Sequence, residues 1–191
     1  MALLSDVDKT DVKLRIDADK RDLDAFTWLR SVMQAIDKFV ESGDSIYIHS
    51  IITGNGKTQW AKKLIKAYLM KIWAKSDLRC RALFIHVPKF LLALKDNINN
   101  PSEYVAYIKD NVYDADLVVF DEVGTKSLTS FEHEHILSII NARLDLGKSN
   151  IYTSNLTDDE LLNKMGDRLY SRVVNNSQNV VFVGQDKRGL Y

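Results

Sequence analysis

Ser45-Ile46-Tyr47-Ile48-His49-Ser50-Ile51-Ile52-Thr53-Gly54-Asn55-Gly56-Lys57-Thr58 is the stretch that decides how this chain folds. Its first five residues form a short buried strand, and Gln59 to Ala74 behind it reads as a helix. Between the two, glycines free the backbone so that successive N–H groups can surround a phosphate at a helix N-terminus. A strand, a glycine loop ending in Lys-Thr, and a helix together make the P-loop arrangement. In that arrangement Gly54, Asn55, Gly56, Lys57, Thr58 and Gln59 hold the phosphates of ATP. Lys57 reaches the β- and γ-phosphates, and the Thr58 hydroxyl holds Mg²⁺. The full pattern asks for a glycine at position 51, where this chain has Ile51; the change alters how the chain reaches the loop without removing the phosphate cradle.

Working outward, four more apolar runs have strand length: Ala82 to Val87, Leu117 to Phe120, Ile151 to Thr153 and Val180 to Val183. Helical patterns lie between them, at Lys89 to Leu94, Glu103 to Val112, Phe131 to Leu146 and Asp158 to Val174. Strands that are apolar throughout belong to a sheet buried on both faces, and strand–helix alternation belongs to parallel βαβ units. The fold class is therefore α/β: three layers with a five-stranded parallel sheet, occupying residues 45–191. Residues 1–44 form a helical N-terminal extension. Its polar start is expected to be mobile. From about Leu23 to Val40 it carries a helical stripe of Phe26, Leu29, Val32 or Met33, Ile36 and Val40. That stripe either packs on the core or offers a groove-binding face to a partner helix.

Three further motifs follow the loop. Leu117-Val118-Val119-Phe120-Asp121-Glu122 is an apolar strand ending in two acids. At such a strand end one carboxylate orders the Mg²⁺ shell, here Asp121, and a neighbouring glutamate polarises the attacking water, here Glu122. Ile151-Tyr152-Thr153-Ser154-Asn155 is a strand with a polar tip, and ligands of open α/β sheets bind at that carboxyl edge. An amide there, Asn155, can orient the water or touch the γ-phosphate. Arg168 and Arg172 are four apart and share a helical face. They are either a solvated basic face or a source of an arginine that reaches a neighbouring subunit's γ-phosphate. Arg188, in the closing Asp186-Lys187-Arg188, can lean back onto the phosphates of its own subunit.

With GNGKT, LVVFDEVG, IYTSNL, GDRLYSRV and DKR in this order, the chain resembles the DnaC/DnaI group of AAA+ ATPases, the bacterial replicative helicase loaders, and the related IstB transposition helpers. The resemblance covers residues 45–191. It implies Walker A roles for Lys57 and Thr58, Walker B roles for Asp121 and Glu122, and sensor 1 for Asn155. It implies an arginine finger at Arg172, with Arg168 as the other candidate, and sensor 2 at Arg188. It implies ATP and Mg²⁺ as cofactors, and a replicative DNA helicase, single-stranded DNA and further copies of the chain as partners. Loaders of this group usually carry a helicase-binding domain ahead of the ATPase core, in some members with a zinc-binding cysteine cluster. Here about 44 residues precede the first strand, and they contain no cysteine. The alternatives are an IstB-like helper that meets a transposase, and a binding module that uses ATP as an assembly switch with little turnover. A small-molecule kinase shares the loop but does not need Asn155 or Arg188.

Composition narrows the field. Lys+Arg and Asp+Glu balance at 26 each, so bulk charge gives no argument for nucleic acid. A local basic stretch does exist: Lys62, Lys63, Lys66, Lys71, Lys75, Arg79 and Arg81, interleaved with Trp60, Tyr68 and Trp73. The lysines suit single-stranded DNA, while the tryptophans are expected to face the sheet. The one cysteine, Cys80, suits a reducing compartment. No signal peptide or membrane-spanning run is apparent, so the expectation is a cytoplasmic protein without membrane contact. His133-Glu134-His135 does not face one way on a helix and is no metal site. His49 and His86 are expected to be structural.

Overall fold

The computed structural model describes residues 20–75, 77 and 79–187. Five parallel strands lie in the order β2-β3-β4-β1-β5. They are β1 Ser45–His49, β2 Ala82–His86, β3 Leu117–Asp121, β4 Ser149–Ser154 and β5 Gln178–Val181. Seven α-helices accompany them among the described residues: α1 Leu23–Gln34, α2 Ile36–Glu41, α3 Lys57–Ile72, α4 Val87–Asp96, α5 Glu103–Asn111, α6 Ser130–Asp145 and α7 Asp158–Tyr170.

The alternation of side chains along each strand assigns the two layers of helices. Ile46, Ile48, Leu117, Val119 and Ile151 point to the side where α1, α2 and α3 pack. Tyr47, Leu83, Ile85, Val118, Phe120 and Tyr152 point to the side of α4–α7. Both faces of the central strands are therefore apolar, as the sequence requires. The expected stripe is split between two helices and used by the core: Phe26 and Leu29 of α1 and Ile36 of α2 are buried, and Phe26 stacks on Trp60 at 5.4 Å. Burying each such side chain contributes roughly 2–3 kcal/mol. Residues 1–19, with the polar N-terminal start, and Arg188 lie outside the described residues.

Several boundaries differ from the sequence reading, each for a local reason. Strand β4 begins two residues early, at Ser149, because its polar first residues are partnered inside the fold. Ser149 Oγ donates to the carbonyls of Phe39 and Val40 (3.2 and 3.3 Å), and the Asn150 N–H donates to Ser45 Oγ (3.2 Å). Strand β5 ends at Val181: the Phe182 N–H still donates to the His49 carbonyl of β1 (2.9 Å), but the next two N–H groups, of Val183 and Gly184, donate to the Asp22 carboxylate. The last helical pattern is not one helix. Gly166, at φ 74° and ψ 161°, breaks it, and a π-turn over Ser171–Asn175 closes it. The expectation that the tryptophans face the sheet holds for Trp60 and fails for Trp73. Helix α3 stops at Ile72, and Trp73 in the following 3₁₀ turn is 76% exposed.

Candidate nucleotide site at the carboxyl edge

The loop from Ser50 to Gly56 turns the end of β1 into the N-terminus of α3. Gly54 and Gly56 adopt φ of 74° and 106°, a region glycine enters without steric cost. A Cβ built on Gly56 would meet open space, so it is the backbone conformation and not crowding that calls for glycine there. Lys57, the first residue of α3, is nearly buried. Its ammonium donates to the carbonyls of Ser50 (3.2 Å) and Ile52 (2.8 Å) and to Asn55 Oδ1 (3.2 Å).

Residues far apart in the sequence meet one turn further on. Thr58 Oγ1 donates to Asp121 Oδ1 at 2.8 Å, and Thr153 Oγ1 donates to the same oxygen at 2.8 Å. Asp121 is 2% exposed, so these hydroxyls satisfy a carboxylate that water does not reach. The next residue, Glu122, has φ 62°, the one positive value among described non-glycine residues. Such a conformation costs about 1–3 kcal/mol and persists only when its surroundings impose it. Here they do. The Glu122 N–H donates to Thr153 Oγ1 (3.0 Å), the Val123 N–H donates to the Thr153 carbonyl (2.8 Å), and Thr125 Oγ1 donates to the Glu122 carbonyl (2.6 Å). The strain turns the Glu122 side chain into a cavity of about 300 Å³, shared by the loop Thr53–Gln59, Glu122 and Asn155.

The site residues expected on the loop and at the ends of β3 and β4 are thus brought together. Arg168 and Arg172 are not among them. With Leu137, Asn141, Asp167 and Ser171 they line a second cavity of about 530 Å³ between α6 and α7. Two residues at the first site were not singled out from the sequence. Thr153 reads as part of a buried strand, yet it bridges Asp121 and Glu122. His86, expected to be structural, stands at the carboxyl end of β2 in register with Asp121. Its Nε2 lies 3.3 Å from Glu122 Oε2, and its Nδ1 accepts from the Lys89 N–H at the start of α4. The available signal was positional: a polar residue ending a buried strand, beside the strand that ends in Asp121.

Ligand chemistry separates two ways of holding a cation here. His86, Asp121 and Glu122 place ligand atoms within 4.8 Å of one another. Mg²⁺ prefers oxygen ligands and retains water, so the Thr58 hydroxyl and Asp121 carboxylate suit it better than a set with imidazole. His49, at the end of β1, has its pKa lowered by burial and by the nearby Lys57, with Asp158 opposing; it stacks on Tyr47 at 4.8 Å. An uncharged His49 adds no competing cation beside the lysine.

Much of the basic stretch is occupied by the protein's own surface. Lys71 pairs with Asp37 (2.6 Å), Arg79 with Asp77 (2.6 Å), and Arg81 with Asp116. The ammonium groups of Lys62 and Lys63 lie over Phe84 and Trp60. No helix among the described residues is long and apolar enough to cross a membrane.

Fold and site together make a three-layer α/β domain with a five-stranded parallel sheet, in which a glycine loop joins β1 to α3 at the carboxyl edge. No protein-family model matches the chain. In sequence it is similar to the replicative helicase loader DnaC of Escherichia coli (strain K12), 24% identical over 155 residues, covering 81% of this chain and 60% of the relative. The chain thus matches about three fifths of the length of that relative. In structure it is similar to the crystal structure of the DnaC helicase loader, with a TM-score of 0.74, 19% identity and coverage of 93% of this chain and 98% of the other. It is also similar to the replication initiator DnaA bound to AMPPCP and single-stranded DNA, with a TM-score of 0.65, 16% identity and coverage of 87% and 46%.

Proposed function

We propose that this protein is an ATP-dependent helicase loader. It binds ATP and Mg²⁺, assembles with copies of itself, engages single-stranded DNA, and delivers a replicative DNA helicase to it. The observation that carries the reading is the meeting of Thr58 and Asp121 at 2.8 Å beside a cavity that Glu122 and Asn155 share with the glycine loop. Two sequence motifs on different strands converge where one phosphate chain and one cation would sit. The likeness to DnaC over most of the chain supports loading as the purpose of that chemistry.

In this reading the loop N–H groups and Lys57 bind the β- and γ-phosphates. Thr58 and Asp121 hold the cation, whose bound charge would offset that developing on the phosphate oxygens. Glu122 accepts the proton of the attacking water, and Asn155 orients it. Thr153 positions both acids. Because Arg168 and Arg172 line a different cavity from the loop, either serves as the finger only by reaching a second subunit. The domain boundary at residue 44 and a sensor role for Arg188 belong to the same proposal.

The test is ATP hydrolysis with and without single-stranded DNA, run beside Glu122→Gln. Turnover stimulated by DNA and reduced about 10²–10³-fold in the variant is expected. Tight ATP binding with no turnover in the wild type would replace the loader cycle with an ATP-operated assembly switch. Capture of a transposase in place of a helicase by the ATP-bound protein would point to an IstB-like helper.

A further inference from the structure

Asp22 stands just ahead of α1 and is completely buried. A carboxylate in such a place needs hydrogen bonds, and it takes them from the segment that follows β5. The Val183 N–H donates to its Oδ1 at 2.7 Å, and the Gly184 N–H donates to Oδ1 and Oδ2 at 3.2 and 3.0 Å. From there the contacts run straight to the phosphate loop. The Gly184 carbonyl accepts from Asn55 Nδ2 (3.5 Å), and the Lys187 N–H donates to the Gly54 carbonyl (3.1 Å). Asn55, 1% exposed, divides its amide: Nδ2 also donates to Ser50 Oγ (2.7 Å), while Oδ1 accepts from Lys57 Nζ (3.2 Å). Aromatic contacts run alongside. Phe26 meets Phe182 edge-on at 5.0 Å, and the Lys187 ammonium lies 5.1 Å above the Phe26 ring.

We infer that Asp22 is a positioning residue for the phosphate-binding loop, acting through Gly184 and Asn55. This rests on the nucleotide-site reading given above. The loop contains two glycines at positive φ, so its own backbone does little to fix the spacing of its N–H groups. The segment from Phe182 to Lys187 supplies that constraint, and Asp22 anchors the segment with charge-assisted bonds. Linkage then works in both directions. Whatever pulls on the chain ahead of α1 changes affinity for ATP, and ATP tightens the clasp around Asp22.

The experiment titrates a fluorescent ATP analogue into the wild type, Asp22→Ala, Asp22→Asn, Asn55→Ala and the Asp22→Ala/Asn55→Ala double variant, with thermal melts of each. Asp22→Ala is expected to weaken binding about tenfold, and Asp22→Asn less, since its amide oxygen can still accept. In the Asn55→Ala background the Asp22→Ala effect should shrink well below its single-variant size. Unchanged affinity with a lowered melting temperature would make Asp22 merely structural. A full effect in the Asn55→Ala background would overturn the route through that amide. If the Asp22 variants do not fold, amide exchange of the wild type decides: ATP should slow exchange at Val183 and Gly184, and no change overturns the proposal. Failure of the wild type to bind ATP would bring down the nucleotide-site reading and this one with it. Normal wild-type binding that is lost in Lys57→Ala but kept in Asp22→Ala would overturn this one alone.

Discussion

The two ends of the sheet are both rich in polar groups, yet they are built differently. At the amino end, Arg143 of α6 is completely buried and donates to uncharged acceptors. Its guanidinium donates to the carbonyls of Val112 (2.6 Å), Ala115 (2.7 Å) and Ser149 (2.7 Å) and to Asn150 Oδ1 (2.6 Å). Burial lowers its pKa to about 10, still well above neutrality. One side chain thereby caps α5, joins the connections into β3 and β4, and stays charged. Beside it Asp116 accepts from Arg81, Lys148 and Tyr68. At the carboxyl end, Lys57 donates to the neutral carbonyls of Ser50 and Ile52 and the Asn55 amide oxygen, and Glu122 is held in a strained backbone with its side chain partly open to water. The contrast teaches where stability is made and where it is given up. The amino end closes the fold, while the carboxyl end keeps its charged groups on replaceable partners.

That contrast can be broken. Arg143→Ala would take the guanidinium from four buried acceptors, and each acceptor left unsatisfied costs about 1–3 kcal/mol; a loss of roughly 4 kcal/mol or more in denaturant unfolding is expected. A loss below about 1 kcal/mol would mean the amino end is not the closure described here. Lys57→Ala should do the reverse, costing at least about 100-fold in ATP affinity, or about 2.7 kcal/mol, with little change in unfolding midpoint. Tight ATP binding by this variant would remove the site.

Smaller effects sharpen the picture. Thr129 caps α6, its hydroxyl accepting from the Glu132 N–H (3.3 Å) while Glu132 returns a bond to the Thr129 N–H (3.0 Å). Thr129→Ala should cost about 1 kcal/mol in the same unfolding assay, without altering ATP affinity. The smallest effect is that of pH. Burial alone would raise the Asp116 pKa, but hydrogen bonds from Lys148, Tyr68 and Arg81 outweigh it and hold the carboxyl below its usual value. A carboxylate whose folded pKa lies below its unfolded one stabilises the fold above the unfolded value, and that contribution fades as pH falls through the folded one. Unfolding midpoints taken between pH 5 and 3 should therefore drop less steeply in Asp116→Asn than in the wild type, by about 0.5 kcal/mol. Identical slopes would take Asp116 out of the closure.

The sequence makes the strands legible because their apolar runs are uninterrupted, and makes the loop legible because glycine, lysine and threonine have few other reasons to stand in that order. It hides what depends on contacts between distant segments. Thr153 looks like any β-branched strand residue until Asp121 lies across from it. His86 looks like a strand end until Glu122 turns toward it. Asp22 belongs to a polar stretch with no pattern at all, and its burial follows only from N–H groups at the far end of the chain. Arg143 sits in a helix whose apolar face is mixed, so nothing local marks it as core.

Among the described residues strand β5 pairs only with β1, Ile46 standing opposite Gln178. The outer edge of β1 is therefore covered by a strand from far along the sequence, a connection of the kind that slows folding. The glycine loop follows β1 directly, and the segment that steadies it follows β5. Loop and clasp therefore order together: the glycine loop reaches its final form only when the segment behind β5 has docked beside it.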